Sequence, residues 1–292
     1  MQNLKAWILA FRPKTLTAAA IPVLATCGLV RAQSENVNWN LVIFALISSF
    51  AIQIATNLIN DAVDFKKGAD HEGRLGPQRI TQAGLASAKK VMTMGFVFLG
   101  IAIAAGVPLV FQGGWPIVAI GLVSCVMAYA YTAGPFPLAY KGLGDLFVII
   151  FFGLIAVCGM FYVLTGRVDL DSMVLGLQIG FLNTILIAIN NLRDIESDRQ
   201  VGKKTLAVRL GIKLSKVWII FLIMAPFLLG YYWLAVGKKW LYIIPVLSLP
   251  LGVSVLKRII STEPSALYNQ FLARSAAYGI VFTACFYIGS FL

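Results

Sequence analysis

The chain has 292 residues, of which 59% are hydrophobic and 12% charged, and its net charge is +12. An ordinary soluble domain carries about 25% charged residues, so this composition excludes a water-solvated fold and points to lipid. The excess of lysine and arginine has a topological explanation, given below, and calls for no nucleic-acid partner.

Nine apolar runs follow in chain order: residues 15–30, 41–60, 91–111, 115–132, 143–165, 173–190, 217–236, 240–256 and 271–292. Most approach the ~20 residues that a helix needs to cross hydrocarbon. The first is the shortest, and it recruits Lys14 or Arg31 as snorkelling ends. Each run is too long for a barrel strand and lacks strict alternation, so the predicted fold is all-α, a polytopic bundle of nine transmembrane helices. Apolar runs continue to Leu292, and the start shows no signal-peptide pattern.

Lysine and arginine accumulate in cytoplasmic loops. With the N-terminus inside, twenty of the 24 basic residues fall on inner segments, and only Arg31, Arg167, Lys238 and Lys239 fall outside. The expected product is a multi-pass protein of the cell membrane. No Pro/Gly/Ser-rich linker divides it, so residues 1–292 read as one domain. Cys27, Cys125, Cys158 and Cys285 all lie within predicted spans without paired spacing, and read as packing residues. Pro22, Pro108, Pro116, Pro226, Pro245 and Pro250 mark bends.

Two inner segments, residues 61–90 and 191–216, hold over half of the acidic and of the basic residues. The first follows the second span, where residues 57–70 read Asn-Leu-Ile-Asn-Asp-Ala-Val-Asp-Phe-Lys-Lys-Gly-Ala-Asp. The second follows the sixth span, where residues 190–199 read Asn-Asn-Leu-Arg-Asp-Ile-Glu-Ser-Asp-Arg. Residues four and eight apart share a helix face, so Asn190, Asp194 and Asp198 form one polar stripe. Asn57, Asn60, Asp61 and Asp64 form another. Carboxylates this close repel one another, and membrane proximity raises the cost of ionising them. A cation between them is expected, and magnesium fits because it takes one or two carboxylates and completes its shell with phosphate oxygens. Lys67, Arg79, Arg199, Lys203 and Lys204 are the candidates for meeting phosphate charge, joined nearby by Lys66, Arg74 and Arg193. A transporter would place such groups near the bilayer midplane, whereas these stripes close complete spans.

On these motifs the chain resembles the UbiA-type intramembrane aromatic prenyltransferase superfamily, with its N-D-x-x-D-x-x-x-D and D-x-x-x-D signatures. Asn60, Asp61 and Asp64 match the first, and Asp194 and Asp198 the second. The first signature's last aspartate falls on Gly68, which makes Asp70 the candidate replacement. Residues 12–16, 57–84, 131–145 and 190–211 are similar, more narrowly, to 1,4-dihydroxy-2-naphthoate polyprenyltransferases of menaquinone synthesis.

The resemblance implies transfer of a polyprenyl chain from its diphosphate to an aromatic acid, on a site facing the cytoplasm. In it Mg2+ is held by Asn60, Asp61, Asp64, Asp194 and Asp198, with Asp64, Asp194 and Asp198 catalytic. Arg12, Asn190 and Tyr131 are the acceptor-binding candidates, with Arg12 or Arg79 orienting the acceptor's carboxylate. A sister enzyme using 4-hydroxybenzoate is the alternative. His71 reads as a solvated loop residue. Asp145 reads as either a helix-start carboxylate or a site residue, and Tyr131 and Tyr140 as aromatic-belt residues or pocket walls.

Overall fold

The computed structural model describes residues 2–68, 75–77, 79–134 and 137–292. Among these residues there are helices and turns and no strands. The helices are α1 (Gln2–Ala10), α2 (Pro13–Ala32), α3 (Trp39–Lys66), α4 (Ala88–Gly113), α5 (Trp115–Ala130), α6 (Gly144–Thr165), α7 (Leu170–Arg193), α8 (Ile195–Gln200), α9 (Leu206–Ala235), α10 (Trp240–Val246), α11 (Leu249–Ser261) and α12 (Tyr268–Gly289).

Their starts follow local chemistry. Side-chain oxygens of Asn38, Ser87 and Thr205 accept the first free backbone N–H groups of α3, α4 and α9, and Asp169 and Ser172 form a reciprocal capping box on α7. Pro13, Pro116 and Pro250 stand in first turns, where their missing N–H costs nothing. Gly211, at φ 75 and ψ 173, breaks α9 near its start, so the membrane portion of that helix begins beyond it.

Seven of these helices are long and apolar enough to span a bilayer: α2, α3, α4, α6, α7, α9 and α12. The expected count of nine differs at two places, for physical reasons. The eighth run is two helices, α10 and α11, bent by 45°. Pro245 ends one of them and Pro250 opens the other. The fourth run forms α5, whose 16 residues rise only ~24 Å against a ~30 Å hydrocarbon core.

Helix α7 is the axis of the bundle: 67% of its apolar stretch is buried, against 22% for α4. Leu175, Ile179, Leu182 and Ile189 meet Leu222, Ile223 and Phe227 of α9 and Phe282 and Phe286 of α12. On its other side α7 meets a π-helical stretch of α6, Ile150–Ile155. The approach there is so close that a Cβ on Gly153 would fall 2.5 Å from both the Gly176 carbonyl oxygen and the Gly180 Cα. Outward faces of α4 and α5, including Phe111, Trp115 and Val126, are exposed apolar surface suited to lipid.

Polar side chains inside the bundle repair helix defects. Pro22 offers no N–H to the carbonyl four residues before it, and that carbonyl, of Ala18, accepts from Asn183 Nδ2 at 3.0 Å. The same amide donates at 3.0 Å to the carbonyl of Phe152 in the π-helical stretch. Gln178, also buried, donates to the Pro226 carbonyl at 2.6 Å and accepts from Trp233 Nε1 at 2.9 Å, which joins α7 to α9. At the far end from the aspartate motifs, Gln33 donates to both Asp169 and Asp171, and Tyr232 and Lys238 reach Asp171. This clasp ties the ends of α2, α7 and α9 together.

Candidate functional site

The last turns of α3 carry the first motif, and each of its polar residues has a distinct partner. Asn57 donates at 3.1 Å to both the Phe11 carbonyl and Thr15 Oγ1. It therefore anchors the elbow between α1 and α2. That elbow holds Arg12 in a left-handed backbone conformation, φ 52, which costs a residue with a Cβ about 1–3 kcal/mol. The strained turn delivers the Arg12 guanidinium to Asp61 Oδ1, to which it donates. Asn60 Oδ1 accepts from the Thr132 hydroxyl.

Arg79 links the two aspartates of α3. Its Nε lies 3.3 Å from Asp61 Oδ1, and its Nη1 donates to Asp64 Oδ2 at 2.9 Å. The second Asp64 oxygen accepts from the Tyr140 hydroxyl at 2.8 Å. Burial, followed by the neighbouring Asp64 charge, pushes the Tyr140 phenol well above its ordinary value, so it stays protonated and remains a donor.

The second motif lies where α7 passes into α8. Helix α7 ends at Arg193, and Asp194, at φ −94 and ψ 13, joins it to α8. The backbone bonds from Asp194 N to Asn190 O and from Asp198 N to Asp194 O, 3.1 and 2.8 Å, persist across that joint. Arg193 is 2% exposed. It forks onto Asp194 at 2.8 and 2.6 Å and donates to Asn190 Oδ1 at 2.8 Å and Asn269 Oδ1 at 2.6 Å. Asn269 in turn donates to the Leu75 carbonyl at 3.0 Å, joining α12 to the loop that leads to Arg79. Lys203 Nζ lies 3.5 Å from Asp198 Oδ1.

Both motifs open on one cavity of about 690 Å3. Arg12, Asn60, Asp61, Asp64, Arg79, Tyr131, Asn190, Asp194, Asp198 and Lys203 all line it. Its remaining wall is largely apolar, with Phe147, Val148, Phe152, Leu186 and Ile187. Three cations expected at the site, Lys67, Arg199 and Lys204, are not among the residues that line the cavity. Lys67 donates to the Thr132 carbonyl at 2.9 Å, Arg199 is exposed and pairs with Glu196 at 2.9 Å, and Lys204 meets the Tyr140 carbonyl through its backbone N–H. Asp70, His71 and Arg74 lie outside the described residues. Asp145 does not line the cavity either; it faces α9 and accepts from Trp218 Nε1 at 2.9 Å.

Among the described residues no three His, Cys, Asp or Glu side chains converge closely enough to hold a metal by themselves. The expected sharing of one ion by Asp64, Asp194 and Asp198 is therefore not preformed. Arg79 neutralises Asp64, and Arg193 neutralises Asp194. Hard oxygen donors distributed around a cavity mouth suit a cation that takes one or two carboxylates and fills its shell from phosphate. Thr132, Tyr140, Asn183 and Asn269 also support the site; Thr132 and Tyr140 fall in the stretch 131–145 that carries the resemblance, whereas Asn183 and Asn269 have no motif signal in the sequence.

Similar proteins share this arrangement of helices. An apo UbiA homolog from Aeropyrum pernix K1 superposes with a TM-score of 0.72 at 16% identity, covering 93% of this chain and 97% of that one. A UbiA homolog from Archaeoglobus fulgidus bound to GPP and Mg2+ gives a TM-score of 0.69 at 14% identity, covering 98% and 100%. A 1,4-dihydroxy-2-naphthoate octaprenyltransferase from Haemophilus influenzae is 33% identical over 302 residues, 99% of this chain and 96% of its own. The enzyme of the same name from Bacillus subtilis is 35% identical over 260 residues, 86% and 81%. The UbiA prenyltransferase family profile matches residues 19–286, which take in both aspartate motifs, and the chain belongs to that family.

Proposed function

We propose that this protein transfers a polyprenyl chain from its diphosphate to 1,4-dihydroxy-2-naphthoate, releasing the acceptor's carboxyl group as carbon dioxide and giving demethylmenaquinol, which a separate oxidation converts to demethylmenaquinone. The observation that carries this reading is 33–35% identity, over most of the chain, to octaprenyltransferases of that acceptor, in a chain whose cavity joins a charged mouth to an apolar wall.

In this reading Asp61, Asp64, Asp194 and Asp198 hold magnesium together with the diphosphate. When bound, the ion supplies Lewis-acid neutralisation of the charge that grows on the leaving diphosphate. Arg79 and Lys203 add fixed positive charge at the same mouth, where low dielectric strengthens it. Arg12 orients the acceptor carboxylate, and Asn190 and Tyr131 hold its ring. The allylic carbon–oxygen bond breaks with its electron pair going to diphosphate. The electron-rich ring forms the new carbon–carbon bond, and the electrons of the lost carboxyl bond restore aromaticity. Phe147, Val148, Phe152 and Ile187 keep water from the allylic cation.

The chain acts as one domain in the cell membrane, with the N-terminus and the cavity mouth on the cytoplasmic side. The lysine and arginine bias supports this orientation. Nine crossings result if α5 and the bent α10–α11 pair each count as one.

Purified protein, magnesium, a polyprenyl diphosphate and naphthoate labelled at its carboxyl carbon provide the test. Labelled carbon dioxide is expected in step with the prenylated naphthoquinone that forms after oxidation of the product. Absence of naphthoate turnover beside clean prenylation of 4-hydroxybenzoate, with its carboxylate retained, overturns the acceptor assignment.

A further inference from the structure

Tyr140 closes the one-turn 3₁₀ helix Leu138–Tyr140 between α5 and α6, and it touches both halves of the site. Its hydroxyl donates to Asp64 at 2.8 Å. Its ring carries Lys67 Nζ at 4.3 Å and Lys203 Nζ at 5.6 Å from the centroid, within cation–π range. Its carbonyl accepts from the Lys204 N–H at 3.2 Å. Lys203 in turn lies 3.5 Å from Asp198. Asp64 and Lys203 line the cavity, whereas Tyr140 does not, so its bonds reach both residues from outside.

We infer that Tyr140 is a positioning residue that sets Asp64 and Lys203 relative to one another for binding magnesium and diphosphate together. This rests on the metal reading given above. A carboxylate tethered through one oxygen loses rotational freedom, and its second oxygen is presented in one direction. Arg79 holds that second oxygen at 2.9 Å, so Asp64 would have to give up Arg79 to hold an ion, and the Tyr140 bond would keep the carboxylate in place. The ring meanwhile holds Lys203 beside Asp198, where a diphosphate would draw the ammonium toward itself.

The hydroxyl and the ring are separable by substitution. Affinity for inorganic diphosphate, with and without magnesium, is measured by calorimetry on the full detergent-solubilised chain. Magnesium is expected to tighten binding to the unaltered protein. Tyr140→Phe keeps the ring, and is expected to lose about tenfold of that tightening, as for a hydrogen bond to a charged group, with little change in metal-free binding. Tyr140→Leu is expected to weaken metal-free binding as well. In an Asp64→Asn background, Tyr140→Phe is expected to add nothing, and Tyr140→His, which keeps a ring donor, to fall between Phe and the unaltered protein. Full magnesium dependence in Tyr140→Phe overturns the inference. So does an equal loss with and without the metal, which is what general damage would give. If the unaltered protein itself shows no magnesium dependence, the metal reading fails instead.

Discussion

Arg193 holds the carboxylate of its own neighbour in sequence, Asp194, through two hydrogen bonds of 2.8 and 2.6 Å. Consecutive residues of an uninterrupted helix point about 100° apart and do not face each other. The pairing is available because α7 stops at Arg193 and Asp194 adopts a non-helical conformation. An arginine this deeply buried needs its counterion, and removing one partner of a buried pair costs about 3–5 kcal/mol.

Asp194→Asn is therefore expected to lower thermal stability markedly and to lose turnover. Asp64→Asn is expected to lose turnover by about a hundredfold or more at a smaller cost in stability, because Arg79 keeps Asp61 at 3.3 Å. Thermal unfolding in detergent, measured beside turnover at saturating magnesium, separates the two. Equal stabilities for the two variants would show that the Arg193 fork contributes little.

Lysines and arginines near the site divide by where they point. Lys203→Ala is expected to raise KM for polyprenyl diphosphate about tenfold, the loss of one charge-assisted contact. Arg199→Ala removes an exposed partner of Glu196 and is expected to stay within about twofold, since surface pairs contribute little. Steady-state kinetics on both variants checks this, and a larger effect at Arg199 would place that side chain at the diphosphate.

The bundle was legible because nine apolar runs stand out from polar loops, and the site because Asp64 and Asp194 occur in similar contexts 130 residues apart. What the sequence did not disclose depends on tertiary contact. Helix α1 is only nine residues long, too short to register as a span. Lys67, Arg199 and Lys204 share a segment with true cavity residues, and only the fold decides which side chains face inward. Tyr140 reads as either a belt aromatic or a pocket wall, and its bond to Asp64 appears only when the fold brings the two together. The α10–α11 bend was foreshadowed by Pro245 and Pro250, but a continuous apolar run concealed the break.

Asn183 lies eleven residues before Asp194 in sequence and carries no charge, yet it holds α2 and α6 to α7. Asn183→Leu removes the amide that donates to the carbonyls of Ala18 and Phe152, and the Ala18 carbonyl, which Pro22 cannot serve, loses its donor in an apolar interior at about 1–3 kcal/mol. A lower unfolding temperature with Mg-dependent diphosphate affinity preserved is expected. Unchanged unfolding would mean that the neighbouring backbone relaxes to pair these carbonyls elsewhere.

A close backbone approach in the bundle wall offers a test of how the cavity is shaped. Gly153 sits in the π-helical stretch of α6, and a Cβ there would meet the Gly176 oxygen and Gly180 Cα, both at 2.5 Å. These are backbone atoms of the central helix and have no rotamer by which to yield, so Gly153→Ala must push α6 away from α7. Overpacking of this kind costs typically about 1–3 kcal/mol. The displacement would carry Phe147, Val148 and Phe152, all of which line the cavity, while Asp64, Asp194 and Asp198 stand on other helices. Gly153→Ala is accordingly expected to raise KM for the long-chain diphosphate and to lower the unfolding temperature, with affinity for inorganic diphosphate and magnesium retained. Loss of inorganic diphosphate binding in equal measure would show that the apolar wall and the charged mouth move as one body.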